Sequence, residues 1–145
     1  MARSIIAVIV SYIVMFALTF LLFTGMYLLL GADGAFKPGN YEPTALWLGL
    51  SFVVFLVLGI IAGFLCAAIA KGGRAHIALA VVVLAVGVLL AIPSLIARKA
   101  DSNLVRTGNV SNFEAMSRAK EPVWAPFLFP FIGAAGVLIG GKLKR

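Results

Sequence analysis

Four apolar runs without a single charged residue, Ile5–Leu30, Ala45–Ala70, Ile77–Ala97 and Val123–Gly141, constrain this chain more than any other feature. About 20 consecutive apolar residues are needed for a helix to cross the hydrocarbon of a bilayer, and each run meets or nearly meets that length. In lipid a backbone must satisfy its own hydrogen bonds, so apolar runs of this length are read as helices. The first run is too long for the apolar region of a signal peptide, about 7–15 residues, and no A-x-A cleavage site follows it. It is read as a retained span. Composition agrees: 63% of the 145 residues are hydrophobic and 12% are charged, against about 45–50% and about 25% in soluble domains. The expected fold is all-α, a single transmembrane domain over 1–145 built as a four-helix membrane bundle, with spans at about 5–30, 45–70, 77–97 and 123–141.

The connectors set the topology. Gly31–Thr44 is rich in Gly, Pro and Asn and reads as a loop. Lys71–His76 is so short that the second and third helices must be antiparallel neighbours. The connector at 98–122 is the longest. Within it Ser111, Asn112, Phe113 and Glu114 match a capping box, which predicts a short helix from about Asn112 to Lys120 with Phe113 and Met116 on one face. That helix is expected on the membrane surface or against a partner, with Phe113, Met116 and Arg118 as its candidate interface.

Charge gives the orientation. The net charge is +7, and the side that carries both termini holds Arg3, Lys71, Arg74, Lys142, Lys144 and Arg145 with no acid. The other side holds six Lys/Arg and all five acids. Lys and Arg near span ends favour the cytoplasm, so both termini are expected there, in the inner membrane of a bacterium. The same placement argues against nucleic acid as the target. Lys71, Arg74, Lys142, Lys144 and Arg145 are expected to contact anionic lipid.

Small residues predict where helices approach. Gly59, Ala62, Gly63, Cys66, Ala67 and Ala70 share one face of the second helix. Gly87 and Ala91 continue the theme on the third, and Gly136 and Gly140 form a GxxxG on the fourth. Such stripes let membrane helices gain dispersion energy by close backbone approach. The second and third helices are expected to pack stripe against stripe. Pro93 predicts a kink in the third helix, with Ser94 near the freed carbonyl. Pro122, Pro126 and Pro130 make the fourth element either a kinked full span or an extended stretch followed by a half-helix, the full span being favoured.

Chemistry is scarce. Intramembrane ionisable residues are costly and mark proton or substrate paths, and the four runs contain none. No HExxH, CxxC or phosphate-cradling glycine loop occurs, and Cys66 is the one cysteine. Small multidrug transporters have a similar length, but Ile5–Leu30 lacks the membrane glutamate that family requires. His76, the one histidine, is a weak candidate axial ligand for haem or a pigment. The expectation is therefore a non-catalytic small membrane protein without cofactor or metal, an accessory or structural subunit working beside other integral membrane subunits. A small oligomeric transporter or channel is the alternative, and a pigment- or haem-binding subunit a weaker one. A homo-oligomer is compatible with all three.

Overall fold

A computed structural model describes residues 2–71, 73–100 and 105–144, with backbone alone at 94, 95 and 97–100. The fold is an all-α membrane bundle of four long helices: α1 (Ala2–Ala35), α2 (Ala45–Ala70), α3 (Ala75–Ala100) and α5 (Ala125–Leu143), with the short α4 (Asn112–Arg118) in the last connector. All four long helices are apolar and long enough to cross a bilayer. Arg145, and the side chain of Ser94, lie outside the described residues.

Helix α1 runs past Leu30, where a loop was expected, to Ala35. The reason is local: Gly31 takes φ 68°, ψ 180°, a conformation open to glycine. The chain breaks direction there and resumes helix for one more turn. A tight hairpin follows. Phe36 pairs with Pro43, Lys37 N–H donates to the Glu42 carbonyl at 2.8 Å and Thr44 N–H donates to the Ala35 carbonyl at 2.9 Å. Thr44 then caps α2, its hydroxyl accepting from Trp47 N–H at 3.1 Å. Helix α3 likewise continues through Pro93 to Ala100.

The fourth span is a continuous helix of 19 residues, about 28 Å at 1.5 Å per residue and so close to the thickness of the hydrocarbon. It starts at Ala125 rather than at Pro122. Pro126 falls in the first turn, where its missing N–H costs nothing, and Pro130 is carried inside the helix. No half-helix forms.

The packing order corrects one expectation. Helices α2 and α3 do not meet stripe against stripe; α5 lies along both, α1 lies along α2, and the α2–α3 and α1–α3 contacts are slight. The short connector forces α2 and α3 together only at one end. Away from it α5 wedges in because it is small on two faces. On its α2 face, a Cβ built on Gly59 would stand 3.0 Å from Gly136 Cα, and one on Gly63 would run into the Val137 carbonyl. Reciprocally, a Cβ on Gly140 would run into the Ile60 carbonyl. On its α3 face Gly141 leaves room for the His76 ring, and Gly87 of α3 in turn leaves room for the Pro130 ring, whose Cγ would lie 2.5 Å from an added Cβ. Ala67, at the far end of the α2 stripe, is half-buried, and Ala91 of α3 is buried.

The main core surrounds this seam. Leu58, Cys66, Leu79 and Val137 are almost fully enclosed there. At the end with the termini, Arg3 Nε donates to the Ile69 carbonyl at 2.8 Å, capping α2 from across the bundle. Lys144 Nζ stands 5.6 Å over the Phe64 ring.

Candidate functional site: an aromatic cleft under a strapped cap

Helices α1 and α3 make few contacts with each other, and a cleft lies along α1 against α2 and α5. Two neighbouring chambers of about 400 Å³ and about 260 Å³ occupy it, the smaller also bordered by α3. Phe16, Thr19, Phe55 and Phe129 line both. The walls are aromatic, and the rings run on from one another. Tyr27 meets Trp47 edge-on at 6.3 Å, Trp47 meets Phe23 at 6.0 Å, Phe23 meets Phe55 at 5.5 Å, and Phe55 stacks on Phe129 at 4.8 Å. Tilted and offset pairs at such distances are the favoured arrangement of ring quadrupoles. The chain of rings stitches α1, α2 and α5 together where no glycine seam does so.

A lid of polar structure closes the upper end of the larger chamber. Residues 105–122 are strapped onto the first connector and the end of α1 by a set of directed bonds. Arg106 is buried. Its Nη2 donates to Asp33 Oδ1 at 2.7 Å and its Nη1 to the Gly108 carbonyl at 3.0 Å. Tyr27 Oη donates to the Val110 carbonyl at 2.6 Å, Asn112 Nδ2 to Thr24 Oγ1 at 3.1 Å, and Lys120 N–H to the Tyr41 carbonyl at 2.8 Å. Tyr41, Phe36, Ala35 and Ala115 make a second small core beneath these bonds.

Helix α4 is seven residues long, and Ser111 caps it by accepting from Glu114 N–H at 3.3 Å. The Glu114 carboxylate turns to Arg118 at 3.0 Å and to Tyr41 Oη at 3.4 Å. Ala115 is the residue α4 buries, while Phe113 is 83% exposed and Met116 is 56% exposed. Arg118 holds its guanidinium 6.0 Å above the Tyr41 ring.

The other residues singled out from sequence lie elsewhere. Gly59, Gly63, Gly136 and Gly140 sit in the α2–α5 seam. Lys71, Arg74, Lys142 and Lys144 are exposed at the end with the termini. His76 is buried there at the start of α3, its ring against the Cα of Gly141, which has no room for a Cβ. Sequence reasoning missed Arg106, which reads as one more outer charge, and it missed the aromatic walls. A signal for the walls was present: Phe16, Phe20, Phe23 and Tyr27 recur at i, i+4, i+7 and i+11 along α1.

Comparison of the chain with protein-family models, with curated proteins and with solved structures finds no match in any of the three. What fold and site define is a class: an integral, multi-pass membrane protein of four spans with a folded polar cap at one end.

Proposed function

We propose that this protein is a non-catalytic accessory subunit of a larger membrane complex, and that its capped end is the surface it offers to other integral membrane subunits. The observation that carries the reading is the presentation of α4. An isolated helix of seven residues does not hold itself in water. Here it is pinned from behind through Asn112, Ala115 and Tyr41, while Phe113 stands out 83% exposed and Met116, which borders the larger chamber, remains 56% exposed. Rigid display of an apolar pair lowers the entropy cost of binding and suits an interface. The absence of ionisable residues from the apolar runs supports a role without proton or substrate chemistry.

Changing Phe113 and Met116 together to Ser should leave the bundle inserted, because the cap is held by the bonds of Arg106, Tyr27, Asn112 and Lys120, which the change leaves in place. Gentle purification followed by quantitative mass spectrometry is expected to show a partner at fixed stoichiometry in the native protein and its loss in the double variant. Retention of that partner at native stoichiometry, or recovery of the chain only as a homo-oligomer, counts against the reading.

The same proposal places the protein in a bacterial cytoplasmic membrane with both termini inside, where exposed Lys71, Arg74, Lys142 and Lys144, with Arg145, meet anionic lipid. The native cysteine is buried and gives little background. An impermeant maleimide on intact cells is expected to label Ser117→Cys and to spare Lys144→Cys. The reverse pattern inverts the topology.

A further inference from the structure

We infer that Phe113, with Met116 beside it, meets its partner in the outer headgroup layer of the membrane, and that it receives the outer end of a membrane-crossing helix of another subunit. Resting on the accessory role proposed above, this site adds its depth and the element that fills it. The outer boundary is marked on three helices at once. Tyr27 of α1 meets Trp47 of α2 edge-on at 6.3 Å. Helices α2 and α5 both run from the capped end toward the termini, with Gly136 against Gly59, and twelve residues back along each helix bring Trp124 level with Trp47. Tyr and Trp rings settle among headgroups, so the three draw one boundary. Arg3, Lys71 and Lys142 draw the other. Thr24 lies one turn inside Tyr27, about 4.5 Å nearer the hydrocarbon at about 1.5 Å per residue.

Two bonds hold the start of α4 at this level. Tyr27 Oη donates to the Val110 carbonyl at 2.6 Å, and Asn112 Nδ2 to Thr24 Oγ1 at 3.1 Å. The far end is held higher, where Lys120 N–H donates to the carbonyl of Tyr41 in the connector beyond α1. Helix α4 therefore climbs out of the membrane, with Phe113 in its low first turn and Lys120 at its wet end. The headgroup layer is about 5–8 Å thick on each side, so a residue next to Asn112 stays within it. Phe113 is 83% exposed there. That depth selects the partner's element. A soluble domain reaching Phe113 would have to push polar surface among the headgroups, whereas a membrane-crossing helix passes through this layer already and carries apolar and aromatic side chains in it. Lipid would cover Phe113 without needing its backbone held still, and the fixed display suits a protein surface.

Depth and occupant are read separately. With Trp47 and Trp124 changed to Phe, Phe113→Trp carries a single indole. The chain alone is placed in vesicles of phosphatidylcholine brominated high on its acyl chains, where bromine quenches an indole within contact range. Fluorescence from position 113 is expected to fall about two-fold against unbrominated lipid. Leu21→Trp, on an exposed face of α1, should be quenched as well, and Lys37→Trp, on the exposed hairpin, should stay bright. Size-exclusion elution at the native volume certifies that each variant is folded. Bright fluorescence from position 113 overturns the depth and leaves the accessory role untouched. In the complex isolated with its partner, quenching at position 113 is expected to be relieved about two-fold, because a protein surface displaces lipid there. Benzoylphenylalanine in place of Phe113 should then crosslink to the outer end of one of the partner's membrane-crossing segments. Unchanged quenching in the complex makes lipid the occupant and overturns the docking. So does a crosslink mapped to an extramembrane domain of the partner. Failure to isolate any partner removes the accessory role and the docking together, while the measured depth stands.

Discussion

Gly63→Ala is expected to destabilise the detergent-solubilised protein by about 1–3 kcal/mol, and Gly63→Leu to dismantle the bundle outright. The cause is the absence of anything soft to yield. A Cβ on Gly63 would meet the backbone of Val137, at its carbonyl, and not the end of a flexible side chain. Helices α2 and α5 must then separate along the whole seam. Separation also loses the contacts at Gly59–Gly136 and Gly140–Ile60, so the effect exceeds that of one extra methyl. Gly25 and Gly49 provide the comparison. Both lie inside helices with nothing within 4 Å of an added Cβ. Alanine there is expected to be neutral or to stabilise by up to about 1 kcal/mol, the usual gain from replacing a helical glycine. Thermal unfolding of the four variants followed by circular dichroism reads the contrast. An unchanged melting temperature for Gly63→Ala, or losses at Gly25 and Gly49 of similar size, contradicts the seam.

The second large effect belongs to Arg106 and Asp33. Asp33→Ala should loosen the cap more than the double change Asp33→Ala with Arg106→Met. The Arg106 side chain is 4% exposed, and its Nε has no hydrogen-bond partner among the described residues; Asp33 is 87% exposed and keeps access to water. Removing the carboxylate strands a guanidinium in a buried place. Removing both leaves an apolar side chain of similar length in a buried place and no stranded charge, a change that is often neutral for buried pairs. The exposure of Asp33 tempers the cost of the single variant to about 1–2 kcal/mol, below the ~3–5 kcal/mol seen when a fully buried pair is broken. Limited trypsin digestion at Arg118 and Lys120 reports opening of the cap. Faster cleavage is expected in Asp33→Ala, with near-native rates restored in the double variant. If the double variant is cleaved at least as fast as the single one, the latch has been misassigned.

Sequence pattern sufficed for the helices, and it failed where partners had to be chosen. Charge-free runs near 20 residues long identify spans because lipid tolerates nothing else. The glycines of α2 mark a close-packed face, yet a stripe of small residues carries no address. Gly59 and Gly63 are equally ready to receive α3 or α5. The decision falls to α5, whose glycines open two faces at once. The Ser111 cap is local chemistry and was readable. The strap is not, since Arg106 and Asp33 are separated by 73 positions and nothing in either neighbourhood names the other. The cleft is harder still. A cavity is defined by elements that fail to meet, and the larger chamber is bounded by α1, α2, α4, α5 and the first connector at once, an arrangement of the whole bundle. Phe16, Phe20, Phe23 and Tyr27 show only that one face of α1 is aromatic.

The central place of α5 has a consequence for biosynthesis. The helix that holds α2 and α3 together is the last of the four to leave the ribosome. At about 5–20 residues per second, roughly 4–15 s separate completion of α2 at Ala70 from completion of α5 at Leu143. During that interval the glycine face of α2 has no resident neighbour and is bathed in lipid or held by the insertion machinery. A nascent chain stalled before α5 would present an unmated small-residue stripe, a feature by which membrane quality control can tell an unfinished molecule from a finished one.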